Sequence, residues 1–178
     1  KSMAIEKGYS RIARYNSTGD RLYLGSLDLL EYVRDVETGE LSFNKDIGIT
    51  SCDKMVVSVF GEKILCASTN GFSAPLYTRS SSALNDEVWQ ANTVSAGAGD
   101  RIWGIEFSDD DSFVVLSKTS GLESYLVNST TQELVFVDKI DTTNQLQSIS
   151  HLGNNRFVIA NGYHTLEVYE LASDGALS

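Results

Sequence analysis

Residues 102–117 read Ile102-Trp-Gly-Ile-Glu-Phe-Ser-Asp-Asp-Asp-Ser-Phe-Val-Val-Leu-Ser117. Apolar, β-branched and aromatic side chains fill both ends, where they suit a pleated, half-buried surface. The polar middle, Asp109-Asp-Asp111 with its flanking serines, is turn chemistry, because Asp side chains accept hydrogen bonds from turn amides. The stretch therefore predicts a strand, a tight turn and a second strand, at Trp103–Phe107 and Phe113–Ser117. Similar short runs recur at Arg21-Leu-Tyr-Leu-Gly, Met55-Val-Val-Ser-Val-Phe, Arg156-Phe-Val-Ile-Ala and Thr165-Leu-Glu-Val-Tyr. A single proline, Pro75, is compatible with many paired strands, since proline removes a ladder donor.

The turns between these runs keep a period. One set falls at Gly19, Gly61, Asp110 and Asn154, with gaps of 42, 49 and 44 residues. A second, one strand later, falls at Asp28, Gly71, Gly121 and Gly162, with gaps of 43, 50 and 41. A third falls at Thr38, Ser81, Thr130 and Asp174, with gaps of 43, 49 and 44. The middle gap is long each time, so the three sets drift together. Four strands per repeat at this period predict an all-β fold of four-stranded antiparallel blades, a β-propeller of about four blades. The blades are expected at residues 11–52, 53–100, 101–145 and 146–178, the last incomplete, with residues 1–10 as an N-terminal segment or a strand that closes a blade.

Residues 102–117 resemble the inner half of a WD-repeat blade, as does Ile12-Ala-Arg-Tyr-Asn-Ser-Thr-Gly-Asp-Arg-Leu-Tyr-Leu-Gly-Ser26. Tyr32-Val-Arg-Asp-Val-Glu-Thr-Gly-Glu40 looks like the third strand and following turn of such a blade. Arg34-Asp35 and Tyr169-Glu170 stand where the family usually has Trp-Asp, and the Gly-His pair that opens many repeats is missing. WD-like rings usually hold seven blades. Three arrangements are therefore expected: part of a larger ring, a small closed ring completed by Met3–Tyr9, or a half-ring that pairs with a second copy. A start at Lys1 fits a processed chain or an excerpt.

Composition narrows the function classes. The 178 residues carry 14 basic and 24 acidic side chains, a net charge of −10. Residues 1–89 hold 10 basic and 12 acidic groups, and residues 90–178 hold 4 and 12. Such a chain repels phosphate backbones, so no nucleic-acid partner is expected. No apolar run reaches the ~20 residues of a membrane helix, so no membrane partner is expected either. Cys52 and Cys66 could form one bridge, but buried free thiols are the favoured expectation. With few cysteines and no signal pattern, intracellular residence (cytoplasmic or nuclear) is expected, with secretion left open. Sequons at Asn16-Ser-Thr18 and Asn128-Ser-Thr130 match the number that chance gives, about two, and carry no weight alone.

No constellation marks a cofactor, a metal or a catalytic centre. His151 and His164 lack metal-ligand spacing, the Asp109–Asp111 run reads as a solvated turn, and Gly97-Ala-Gly99 lacks a third glycine. The leading expectation is a non-catalytic interaction scaffold or adaptor that uses one loop face. Arg101 and Trp103 would anchor a protein partner there, with Asp53, Asp28, Phe72, Ser120, Tyr163 and His164 around them, since WD-like propellers often bind partners on that face. The alternative is a propeller hydrolase, of lactonase or glycosidase type, with a site at the central channel.

Overall fold

A computed structural model describes residues 11–25, 28–50, 52–59, 63–67, 73–79, 89–95, 100–142, 146–162 and 165–178. Fifteen strands form four separate antiparallel sheets among them. The first contains β1 (Ile12–Tyr15), β2 (Arg21–Gly25), β3 (Asp28–Arg34) and β4 (Leu41–Thr50). The second contains β5 (Lys54–Val57), β6 (Lys63–Ala67), β7 (Ser73–Arg79) and β8 (Trp89–Ser95). The third contains β9 (Ile102–Phe107), β10 (Phe113–Lys118), β11 (Gly121–Val127) and β12 (Leu134–Asp141). The fourth contains β13 (Leu146–Gly153), β14 (Arg156–Asn161) and β15 (Leu166–Glu170). In every sheet each strand pairs with the next in sequence, the meander of a propeller blade.

Residues 102–117 fold as a hairpin, with Val115 opposite Glu106 and Leu116 opposite Ile105. The outermost strand of the first blade is longer than its sequence suggests, running from Leu41 through a left-handed Gly48 to Thr50. In the fourth sheet residues 176–178 pair with the chain at and just after the end of β15. Leu177 bridges Leu171, and Glu170 and Ser178 exchange backbone hydrogen bonds of 2.9 and 3.0 Å. The strand proposed at Met3–Tyr9 lies outside the described residues.

A four-stranded sheet has two faces and can bury neither alone, so each blade packs on its neighbours. The inner strands contact one another in chain order, β1 on β5, β5 on β9 and β9 on β13. Tyr23 and Leu29 of the first blade pack with Met55 and Ile64 of the second. Leu65 and Leu76 of the second pack with Ile102, Ile105 and Leu116 of the third. Val115 and Leu122 of the third pack with Ile149, Phe157 and Ile159 of the fourth. Each such side chain contributes about 1.5–3 kcal/mol when fully buried. Strand β10 is buried along its whole length, whereas β12 and β15 keep exposed residues.

Cys52 and Cys66 correct the expectation of free thiols. They form a disulfide with a Cα separation of 5.2 Å, buried in the seam between the first two blades. Sequence could not decide this, because the bond depends on Cys52, just ahead of β5, lying beside the residue of β6 that pairs with Met55. The Asp109–Asp111 run is the expected turn, with Asp109 and Asp110 exposed, and departs from it only in the buried Asp111. Asp110 caps it, accepting from the Ser112 amide at 3.0 Å and from the Ser108 hydroxyl at 2.8 Å. Asp111 is buried and accepts the Val59 amide of the second blade at 2.9 Å. Asp109 exchanges hydrogen bonds with Asn155 of the fourth, at 3.0 and 2.7 Å. The hydroxyl of Ser17 likewise donates to the Val59 carbonyl. First-type turns thus link all four blades along one rim.

Gly104 marks the closest approach of the third and fourth blades. A Cβ there would lie 2.6 Å from Cγ2 of Ile149 and 2.9 Å from its amide nitrogen. Gly104→Ala should therefore push β9 from β13 and destabilise the fold by about 1–3 kcal/mol, the usual cost of overpacking. Thermal unfolding of the variant against the parent measures it, and an unchanged midpoint would contradict this packing.

Candidate functional site

The axial strands offer the most unusual chemical group. In β9 the burial alternates such that only Trp103 and Glu106 escape full burial. Glu106 is the one acid in an otherwise apolar strand, and loss of water raises its carboxyl to about 7. The positive charge of Arg14 opposes that rise and is outweighed. Arg14 belongs to β1, in the first blade, whereas Glu106 belongs to the third. The guanidinium itself is exposed and donates to the Ala13 carbonyl at 3.2 Å. The result is a carboxyl poised near neutrality within electrostatic reach of an exposed cation, an arrangement suited to moving a proton beside an anionic or carbonyl group.

A second cluster forms at the rim that holds the second-type turns, and it contains several residues expected from sequence. Asp53 accepts from Arg11 at 2.9 Å. The next residue, Lys54, reaches into the third blade. Its ammonium donates to the Ile102 carbonyl at 3.2 Å and sits 4.9 Å from the centre of the Trp103 ring. Burial lowers the Lys54 pKa, and the Asp53 charge partly offsets the fall. Trp103 donates its indole N–H to Thr119 at 3.0 Å, and the amide of Arg101 donates to the same hydroxyl at 3.2 Å. Ser120 donates to Asp100 through its amide at 3.0 Å and its hydroxyl at 2.8 Å. Asp53, Arg101, Trp103 and Ser120 are thus brought to one rim, with Arg101 exposed and Trp103 engaged within the chain.

Asp28 stands at the head of β3, opposite Thr50, and shares no hydrogen bond or ion pair with that cluster among the described residues. Phe72, Tyr163 and His164 lie outside the described residues. His151 is a turn-side group, its Nε2 3.3 Å from Asp109 and its ring 5.2 Å from that of Phe157.

Beneath the rim, buried charges are paired. Lys118 lies 2.7 Å from Glu123 and 3.4 Å from Asp100, and Glu123 also accepts from the Tyr125 hydroxyl. Burial and the Glu123 carboxylate push that phenol upward. In the first blade the fully buried Glu31 takes Arg21 and, at 2.8 Å, Asn44. Each of these pairs lies within one blade, and removing one partner would strand a buried charge.

Sequence reasoning passed over Glu106 and Arg14. A signal for Glu106 was present: one ionisable residue inside Ile102-Trp-Gly-Ile-Glu-Phe107. Arg14 carried none, because it lies in a different blade and 92 residues earlier in the chain.

No protein-family model matches the chain, and no curated protein matches it significantly. Solved structures match its fold. A periplasmic gluconolactonase from Pseudomonas aeruginosa is 15% identical with a TM-score of 0.71, covering 96% of this chain and 52% of its own. A Bacteroides uniformis protein provisionally assigned as a 6-phosphogluconolactonase is 15% identical with a TM-score of 0.74, over 93% of this chain and 52% of its own. The β-propeller domain of Cps50 (Swd1) from Myceliophteria thermophila is 12% identical with a TM-score of 0.67, over 90% of this chain and 52% of its own. These likenesses establish a β-propeller fold, without a WD-repeat identity. The chain spans about half the length of the structures it matches.

The raised Glu106 carboxyl has a consequence for stability. Between the ordinary glutamate value of 4.5 and about 7, the folded chain holds a proton that the unfolded chain releases. Stability therefore declines as pH rises through that window, by roughly 3 kcal/mol at most. Glu106→Gln should remove this decline and unfold later than the parent above pH 7. Denaturant melts at pH 5 and pH 8 check it, and equal shifts at both values would contradict it.

Proposed function

We propose that this chain carries catalytic groups of a propeller hydrolase acting on cyclic esters, the lactonase type. The observation that carries this is the axial Glu106 carboxyl, poised near neutrality. Lactone opening needs a base that takes a proton from water at physiological pH, and a carboxyl near 7 is matched to that work. In the proposed step Glu106 removes a proton from a water molecule as its oxygen attacks the lactone carbonyl carbon. Collapse of the tetrahedral adduct breaks the ring C–O bond, and the Glu106 proton passes to the departing alkoxide. Arg14 supplies positive charge for the developing oxyanion or for an acidic substituent on the sugar. The gluconolactonase among the structural neighbours favours this chemistry over a purely structural role.

A protein-interaction role for the rim of the second-type turns is the second proposal. Its support is the exposed Arg101 beside Trp103, a pairing of side chains frequent at binding hot spots. Arg101→Glu tests that role without disturbing the Lys54–Trp103 contact, and the lactonase proposal predicts unchanged hydrolysis in this variant.

Hydrolysis of an aldonolactone by the purified chain should rise with pH through about 7. Glu106→Gln should reduce it by roughly 10²–10⁴-fold, the usual contribution of a positioned base. Arg14→Ala should move the rising limb to higher pH, since the charge that lowers the Glu106 pKa is gone. A parent rate equal to the spontaneous one, or full activity in Glu106→Gln, would overturn the proposal.

A further inference from the structure

We propose that Asn128 is an N-glycosylation acceptor and that the chain folds in an oxidising, secretory-type compartment. This departs from the intracellular residence expected from sequence, and two independent observations carry it. The first is the Cys52–Cys66 disulfide, buried between the first two blades. Structural bridges of this kind persist in oxidising compartments and are rare where thiols are kept reduced. In that setting a sequon that chance would have supplied becomes a substrate.

The second observation separates the two sequons. Asn128 opens the turn between β11 and β12, and its Oδ1 accepts the amides of Thr130 and Thr131 at 2.9 and 3.0 Å. Its Nδ2 makes no hydrogen bond among the described residues, and Ser129, Thr130 and Thr131 are exposed. The equivalent turn of the first blade shows what the fold requires here. Asp35 caps it through Oδ1, accepting the amides of Glu37 and Thr38 at 2.9 Å each. A carboxylate does the same work, so the fold has no need of an amide nitrogen at this position.

Asn16 is different. Its Nδ2 donates to Thr18 at 2.9 Å and to Asp20 at 2.7 Å, while its Oδ1 accepts the Arg21 amide at 3.1 Å. Ser17, inside that sequon, is bound to the Val59 carbonyl of the next blade. A sugar on Asn16 would displace this network, whereas Nδ2 of the half-buried Asn128 has no hydrogen bond to give up among the described residues. In the modification itself, Nδ2 of Asn128 bonds to the anomeric carbon of a lipid-pyrophosphate-linked oligosaccharide. The anomeric C–O bond breaks, the lipid pyrophosphate leaves, and one Nδ2 proton passes to the transferase's base.

The test is translation of the full chain, behind a cleavable secretion signal, in the presence of eukaryotic microsomes. Glycosidase-sensitive mass and the alkylation of thiols without prior reduction are then read. One glycan is expected, retained in Thr18→Ala and lost in both Thr130→Ala and Asn128→Asp. The aspartate variant keeps the turn cap, so its loss of glycan reports the acceptor nitrogen rather than misfolding. Cys52 and Cys66 should resist alkylation. An unmodified chain, a glycan confined to Asn16, or two alkylated cysteines would each overturn the proposal.

Discussion

A four-stranded sheet with apolar residues on both faces has no stable existence alone, and the whole molecule follows from that. Among the described residues the two middle blades bury one face on the blade before and the other on the blade after, and the first and fourth share one seam each, so the seams are most of the core. Within a seam the packing is close enough for one methyl group to matter, as at Gly104 against Ile149. Apolar contact alone would let sheets slide. The turn-to-turn bonds through Ser17, Val59, Asp111, Asp109 and Asn155 fix the offset along one rim. The Arg11–Asp53 and Lys54–Ile102 contacts fix it along the other.

The repeat was legible because the turns are written locally. Left-handed backbone occurs at Gly19, Asp111 and Asn154 in the first set, at Gly121 in the second, and at Gly39, Gln132 and Gly175 in the third. These lie on or within two residues of the periodic markers, and the residue types that tolerate that conformation are few. Strand positions were legible for a similar reason, since alternation and β-branching act over a few residues. Less visible was a second local regularity: Glu123 and Tyr125 in the third blade are repeated as Glu167 and Tyr169 in the fourth, each tyrosine bonded to its glutamate.

What sequence did not yield depends on contacts between blades. The cysteines are 14 residues apart, and only the pairing register of β5 and β6 decides that they meet. Asp109, Asp110 and Asp111 look alike in sequence, yet one caps its own turn and the other two reach opposite neighbours. Of the residues expected at one rim, Asp53, Arg101, Trp103 and Ser120 lie along it, Asp28 makes no hydrogen bond with them, and Phe72, Tyr163 and His164 lie outside the described residues. The Glu106–Arg14 pair could not be anticipated, since no repeat places a specific charge across an axis.

That pair has an implication beyond its chemistry. Contacts in this molecule run between successive blades, but the Arg14 charge reaches Glu106 past an intervening one. The proton affinity of Glu106 therefore carries a contribution from the first blade as well as from its own burial. If the first and third blades spread apart, the carboxyl loses the one charge that restrains its rise and becomes a weaker acid. Blade spacing thus bears on this acidity through Arg14, while burial remains the larger cause of the raised carboxyl.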